Sequence, residues 1–98
     1  MSHDAIAVDR VIEAAARIRQ AEAAIVTARA AWSAKMATLT NNKRLRGKAE
    51  QAQDRYHRYH LQAEDKAWED ARRDLAQAKE DVLAAALALL AQTERRAE

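Results

Sequence analysis

The chain contains no cysteine, proline or phenylalanine, and only one glycine, in 98 residues. A sheet-based fold needs turn residues and many β-branched or aromatic side chains, so this composition excludes it. Without cysteine there is no disulfide, thiolate metal site or catalytic thiol. The most apolar run, residues 82–91, is half the length of the roughly 20 residues that a membrane-spanning helix requires. We therefore expect a single all-α domain over residues 1–98, located in the cytoplasm and away from membranes.

Large apolar residues recur every seven positions in both halves of the chain, and alanines follow most of them three positions later. This is the a/d pattern of a coiled coil with alanine at d. The large residues are Val11, Ile18, Ile25, Trp32 and Leu39 in the first half, and Leu61, Trp68, Leu75, Val82 and Leu89 in the second. The sequence predicts an antiparallel two-helix coiled-coil hairpin, with helices over about 3–40 and 48–95 and a turn over about 41–47 that holds Gly47.

The charges that flank these stripes predict how the two helices pair. A fold about Arg46 and Gly47 places opposite charges together: Arg10 with Asp81, Arg17 with Asp74, Glu22 with Arg72, and Arg29 with Asp65. A slip of one heptad in either direction brings like charges together. Exposed ion pairs contribute only about 0.2–1 kcal/mol each, so the pattern indicates a register rather than a source of stability.

Apolar residues outside the stripes indicate a second interface. Leu83, Leu87 and Leu90 share one helical face, and Ile12 and Val26 also lie off the stripes. All but Val26 are near the end where the termini meet, and exposed apolar patches usually mark association. We expect a homodimer that forms a four-helix bundle, with Ile12, Leu83, Leu87 and Leu90 at the interface. The alternative is that the first helix breaks and folds back over this surface.

Residues 43–60 combine positive charge with aromatic rings. They include six basic and two acidic residues, whereas the rest of the chain has a net charge of −2. Basic side chains neutralise phosphates and tyrosine rings stack on unpaired bases, so the segment suits a nucleic acid or another anion, or an acidic protein. The simpler interpretation is a solvated turn. The candidate anion-binding residues are Lys43, Arg44, Arg46, Lys48, Arg55, Tyr56, Arg58 and Tyr59.

Metal binding and catalysis have little support in the sequence. His57, His60 and Glu64 share a helical face and are weak candidates for metal ligands, but a structural zinc site takes four. A narrow hairpin offers no enclosed pocket, so we expect no catalytic residue, metal or other cofactor. The sequence favours a non-enzymatic interaction protein, such as a small adaptor, regulator or assembly component, that self-associates through its apolar open end. The alternative function is nucleic-acid binding through the basic segment.

Overall fold

The structure, a computed structural model, describes residues 3–42 and 47–97. Within these ranges the chain forms three α-helices and no strand: α1 is His3–Thr40, α2 is Glu50–His60 and α3 is Gln62–Ala97. The all-helical fold expected from the sequence is confirmed. Since α1 is unbroken, no part of it folds back as a separate helix. None of the helices, over the residues described, is long and apolar enough to cross a membrane.

Helices α1 and α3 pack side by side and run antiparallel, as in a hairpin. In the first half of α1, Arg17 Nη1 lies 3.9 Å from Asp81 Oδ2, late in α3. Near the end of α1, Trp32 Nε1 donates a 2.8 Å hydrogen bond to Asp65 Oδ1, at the start of α3. Residues later in α1 therefore contact residues earlier in α3, which is the pattern of an antiparallel pair. The molecule measures 74 × 20 × 13 Å.

The buried residues between the two helices are mostly alanines, which we call the alanine seam. Its members are Ala7, Ala14, Ala21, Ala28, Ala71 and Ala78, all at most 8% exposed. Alanine is the best helix former, and its small side chain lets two helix backbones approach closely. The large residues three positions earlier, such as Ile18 and Leu75, are displaced beside the seam and stay only half-buried. The seam is thus narrow and leaves apolar surface partly in solvent.

The two helices pair one heptad away from the register that the charges predicted. Arg17 forms its ion pair with Asp81, whereas the predicted partner was Asp74. Asp65 is likewise bonded by Trp32, where the prediction had Arg29. The charge-based register was therefore wrong.

Packing explains the register that the hairpin adopts. The rings of Trp32 and Trp68 meet edge to face, with their centroids 6.0 Å apart. Ala21 and Ala78 line one groove, so small residues lie opposite small ones and large opposite large. Interiors are stabilised by filling space along the whole contact, and this outweighs exposed ion pairs of about 0.2–1 kcal/mol each.

The second predicted helix is divided at Leu61 into α2 and α3. Leu61 has φ −101° and ψ 5°, away from the helical values of about −63° and −42°. Its N–H still donates to the His57 carbonyl at 2.9 Å, so the chain bends without losing this hydrogen bond. Before Leu61 the stripe positions hold the polar residues Asp54 and His57. Leu61 is the first large apolar residue of the second stripe, and it is buried. The bend therefore lies where the apolar stripe of α3 begins.

The shifted register leaves most of α2 beyond the end of α1. Asn42, just past α1, donates from Nδ2 to Tyr56 Oη at 3.2 Å, so the earlier residues of α2 lie further out. Gln53 Nε2 donates to the Lys48 carbonyl at 2.9 Å and links α2 to the segment before it. No residue of α2 is buried. We call residues 47–60 the tip, and the opposite end, where α1 begins and α3 ends, the open end.

Candidate interaction surfaces

The alanine seam divides the hairpin into two unlike sides. On one side, which we call the aliphatic side, a groove is lined by the large stripe residues Ile25, Trp68 and Leu75. On the other side, the groove beside the seam is lined by polar residues and alanines; the polar ones are Arg17, Gln20, Asp74, Gln77 and Asp81. The large stripe residues thus leave one side of the hairpin more apolar than the other.

The aliphatic side is most apolar toward the open end. Five large side chains there are between 42% and 61% exposed, and we call them the open-end patch: Val8, Ile12, Leu83, Leu87 and Leu90. Ile12, Leu83 and Leu90 each directly follow a half-buried stripe residue, so they extend the aliphatic side outward. All four residues that the sequence predicts at a dimer interface are therefore exposed at the open end.

Basic residues bound the open-end patch on the side nearer the tip. On α3, Lys79 lies one turn before Leu83, and Lys79 and Arg72 both line the groove of the aliphatic side. On α1, Arg19 lies seven positions after Ile12 and on the same helical face, and Arg29 lies further along. The observed register brings Arg29 to about the level of Arg72. Apart from Val26, the exposed large aliphatic residues of this side therefore lie in the open half of the hairpin.

Sequence reasoning missed this charged boundary because it used the wrong register. The signal that would have found it is the pair of tryptophans, since Trp32 and Trp68 both occupy the a position of their stripes. Aligning these two rings gives the observed pairing and moves Arg29 to the level of Arg72.

A charged cluster on α3 stabilises that helix locally. Lys66 Nζ donates to Asp70 Oδ2 at 2.8 Å, and Arg73 Nη1 lies 3.4 Å from Asp70 Oδ1. The Lys66 hydrogen bond is the main cause that lowers the pKa of Asp70; the nearby charges of Lys66 and Arg73 act in the same direction, and desolvation opposes them. These contacts are exposed and lie one turn apart on one helix, so they support the helix rather than form a binding site.

The outer face of α2 carries exposed basic and aromatic side chains. Arg55 and Arg58 are exposed, and Tyr59 is 70% exposed, with its ring edge-on to His60 at a centroid distance of 5.2 Å. In the part of the chain that the structure describes, neither arginine makes a hydrogen bond or an ion pair. Lys48 is exposed before α2. The remaining basic candidates, Lys43, Arg44 and Arg46, lie outside the described residues.

The inner face of α2 has a different role. Tyr56 is half-buried; its hydroxyl accepts the Asn42 hydrogen bond and its ring lies 4.2 Å from that of His60, centroid to centroid. Tyr56 thus links α2 to Asn42, in the segment that directly follows α1. Of the two tyrosines predicted to bind a partner, Tyr59 is the one whose ring is exposed.

The weak candidates for metal ligands do not come together as a metal site. Among the residues that the structure describes, no three His, Asp or Glu side chains form a group that could hold a metal ion. The Nε2 atom of His57 and the Oε2 atom of Glu64 are buried without a hydrogen-bond partner in the protein, and His60 instead packs against Tyr56. The geometry therefore gives no support to metal binding by His57, His60 and Glu64.

Comparison of this chain with known protein families, with curated proteins and with solved structures finds no match. The features that bear on function are therefore the two exposed surfaces, the open-end patch and the outer face of α2.

Proposed function

We propose that this protein is a non-enzymatic helical-hairpin interaction protein that self-associates through its open-end patch and serves as a small adaptor, regulator or assembly component. One observation carries the proposal: five large aliphatic side chains at the open end are 42% to 61% exposed. The seam already occupies the facing surfaces of α1 and α3, so within residues 3–42 and 47–97 a single hairpin has no further helix to cover the patch. A second copy supplies the same surface in return, and two joined hairpins form a four-helix bundle.

The size of the patch is sufficient for association. Fully burying a Val, Leu or Ile side chain contributes about 1.5–3 kcal/mol, so one that is already half-buried contributes roughly half of that. Ten such side chains from two copies contribute on the order of 10 kcal/mol, against an association cost of roughly 4–15 kcal/mol. Half-buried neighbours such as Val82 and Leu89 add to the gain. At the low end of that cost a net gain of about 6 kcal/mol remains, so we expect a weak dimer that dissociates at roughly 40 µM.

The test is the oligomeric state of the wild type and of two matched variants. Leu87→Glu places a carboxylate in the patch, where it has no partner when desolvated, and should give a monomer with a lower melting temperature. Val26→Glu is the control, because Val26 is also an exposed aliphatic residue but lies outside the patch. Sedimentation or light scattering over about 1–500 µM brackets the expected affinity. A wild type that stays monomeric at the highest concentration, or a Leu87→Glu variant that dimerises like the wild type, contradicts the proposal.

A second candidate function, binding of single-stranded nucleic acid at the tip, is favoured by the outer face of α2. This face lies beyond the end of α1 and presents Arg55, Arg58 and an exposed Tyr59 ring. Guanidinium groups neutralise phosphates, and a tyrosine ring can stack on an unpaired base. The basic residues of segment 43–60 that lie outside the described residues add further positive charge to the same stretch of sequence.

Salt-dependent binding tests this second function. The logarithm of affinity should fall linearly with the logarithm of salt concentration, and the Arg55→Gln/Arg58→Gln double variant should flatten that slope. The Arg10→Gln/Arg95→Gln variant removes two exposed charges at the open end, away from the tip, and should leave the slope unchanged. Tyr59→Ala should weaken single-strand binding more than duplex binding. No detectable binding to DNA, RNA or heparin at about 50 mM salt, where electrostatic attraction is strong, rules out this function and leaves an acidic protein as the partner class.

A further inference from the structure

We infer that the two copies pack through their open-end patches in opposite directions, so that the tips lie at the two far ends of an elongated dimer. This inference rests on the proposed self-association and adds the arrangement of the copies. It is carried by the distribution of charge along the aliphatic side, because charged residues flank the stripe in the half nearer the tip and aliphatic residues flank it in the open half.

Two hairpins that meet on their aliphatic sides can do so in two symmetric ways. With the two-fold axis parallel to the helices, both tips lie at the same end, and α1 of one copy packs on α3 of the other along the whole length. With the axis perpendicular to the helices, the tips lie at opposite ends, and each helix packs on its own equivalent. Only the second arrangement allows contact to be limited to the open halves.

The parallel arrangement places charged residues inside the interface. The charged half of the aliphatic side carries four basic and three acidic exposed residues: Arg19, Arg29, Arg72, Lys79, Glu22, Asp65 and Glu69. Full-length contact desolvates all of them, and both copies contribute the same excess of positive charge. In the observed register it brings Lys79 to the level of both Arg19 and Glu22, and Arg29 to the level of both Arg72 and Glu69, so like and opposite charges meet across the interface. Removing these charges from water is costly, and such mixed pairing offsets the cost only in part.

The reversed arrangement keeps these charges in solvent while it buries the patch. The observed register puts Ile12 and Leu87 at the same level of the hairpin, within the open half, so a two-fold axis at that level centres the contact on the patch. The first residue of α2, Glu50, is then roughly 55 Å from the axis at 1.5 Å per residue along the hairpin. The two tips would be roughly 110 Å apart, which lets one dimer present two separate tip surfaces.

Spin-label distances distinguish the two arrangements, and the absence of native cysteine makes single-cysteine variants clean to label. Ser33 is exposed and lies 21 positions beyond Ile12, so labels at Ser33→Cys should be about 60 Å apart in the reversed dimer. In the parallel dimer they should be roughly 10–25 Å apart, the width of a four-helix bundle. Ala16→Cys, an exposed position next to the patch, is the matched control and should give a short distance in both arrangements.

Each outcome of the pulsed electron resonance experiment decides a different point. A long distance at Ser33→Cys together with a short one at Ala16→Cys supports the reversed dimer. Short distances at both positions overturn this inference but leave the proposed self-association intact. Long distances at both positions in a protein that is dimeric by light scattering place the interface elsewhere and overturn both. No dipolar coupling in a monomeric protein overturns the proposed function itself.

Discussion

Replacing Ala21 by leucine is a direct test of the alanine seam. Ala21 is 6% exposed and lines a groove with Ala78, which is 4% exposed. Leucine adds three carbon atoms where the two backbones approach closely, so the helices must separate or the side chain must leave its preferred rotamer. Overpacking of this kind typically costs about 1–3 kcal/mol. Leucine and alanine have similar helix propensities, so the loss reports packing rather than helix formation.

The assay is thermal unfolding followed by circular dichroism. For a chain of about this size, 1–3 kcal/mol corresponds to a decrease in melting temperature of roughly 4–24 °C. All variants must be compared at one protein concentration, because association makes the melting temperature concentration-dependent. Ala23→Leu, at an exposed position two residues along, is the matched control and should melt near the wild type. Equal melting temperatures for Ala21→Leu and Ala23→Leu would refute close contact at the seam.

Two further predictions concern the register and the response to acid. Cysteines at Arg17 and Asp81 should be joined within one chain by a short bis-maleimide faster than cysteines at Arg17 and Asp74, as measured by mass spectrometry; the reverse order would restore the register expected from charge. Asp70→Asn should lose less stability in acid than the wild type, because the pKa of Asp70 is lowered in the folded chain. Its carboxylate therefore stabilises the fold above the ordinary carboxyl pKa of about 4, and this contribution is lost as the pH falls through the lowered value. Thermal melts between about pH 2 and 6 provide the measurement, and equal acid sensitivity of the two proteins would contradict the argument.

The helices follow from the sequence because their signal is local. A seven-residue repeat of large side chains, continued from Val11 to Leu39, defines one helical face without any knowledge of the partner helix. The exposure of Ile12 and Leu83 could be anticipated for the same reason, since each lies off the repeat of its own helix. Such features depend only on spacing along the chain.

The register and the shape of the tip could not be obtained from the charges. Several registers of a heptad repeat align stripe with stripe, and the energy differences among exposed ion pairs are small compared with packing differences. The bend at Leu61 and the exposure of the outer face of α2 depend in turn on the register, because it determines where α1 stops opposite the second arm. A register error of one heptad therefore also gave the wrong partners for Arg29 and Asp65 and the wrong position of the tip relative to the end of α1.

The alanine seam also explains why so small a protein has surplus apolar surface. A close contact between two helices buries the alanines themselves but displaces the larger stripe residues to one side, where Val82 and Leu89 remain half-buried. Near the tip, the Trp32–Trp68 pair and charged neighbours occupy this side. At the open end the neighbours are instead Ile12, Leu83 and other aliphatic residues, so the uncovered strip becomes wider rather than narrower. A hairpin built on a wider core would have buried these side chains itself. One built on alanine leaves them in solvent, and this is the physical basis for the proposed self-association at the open end.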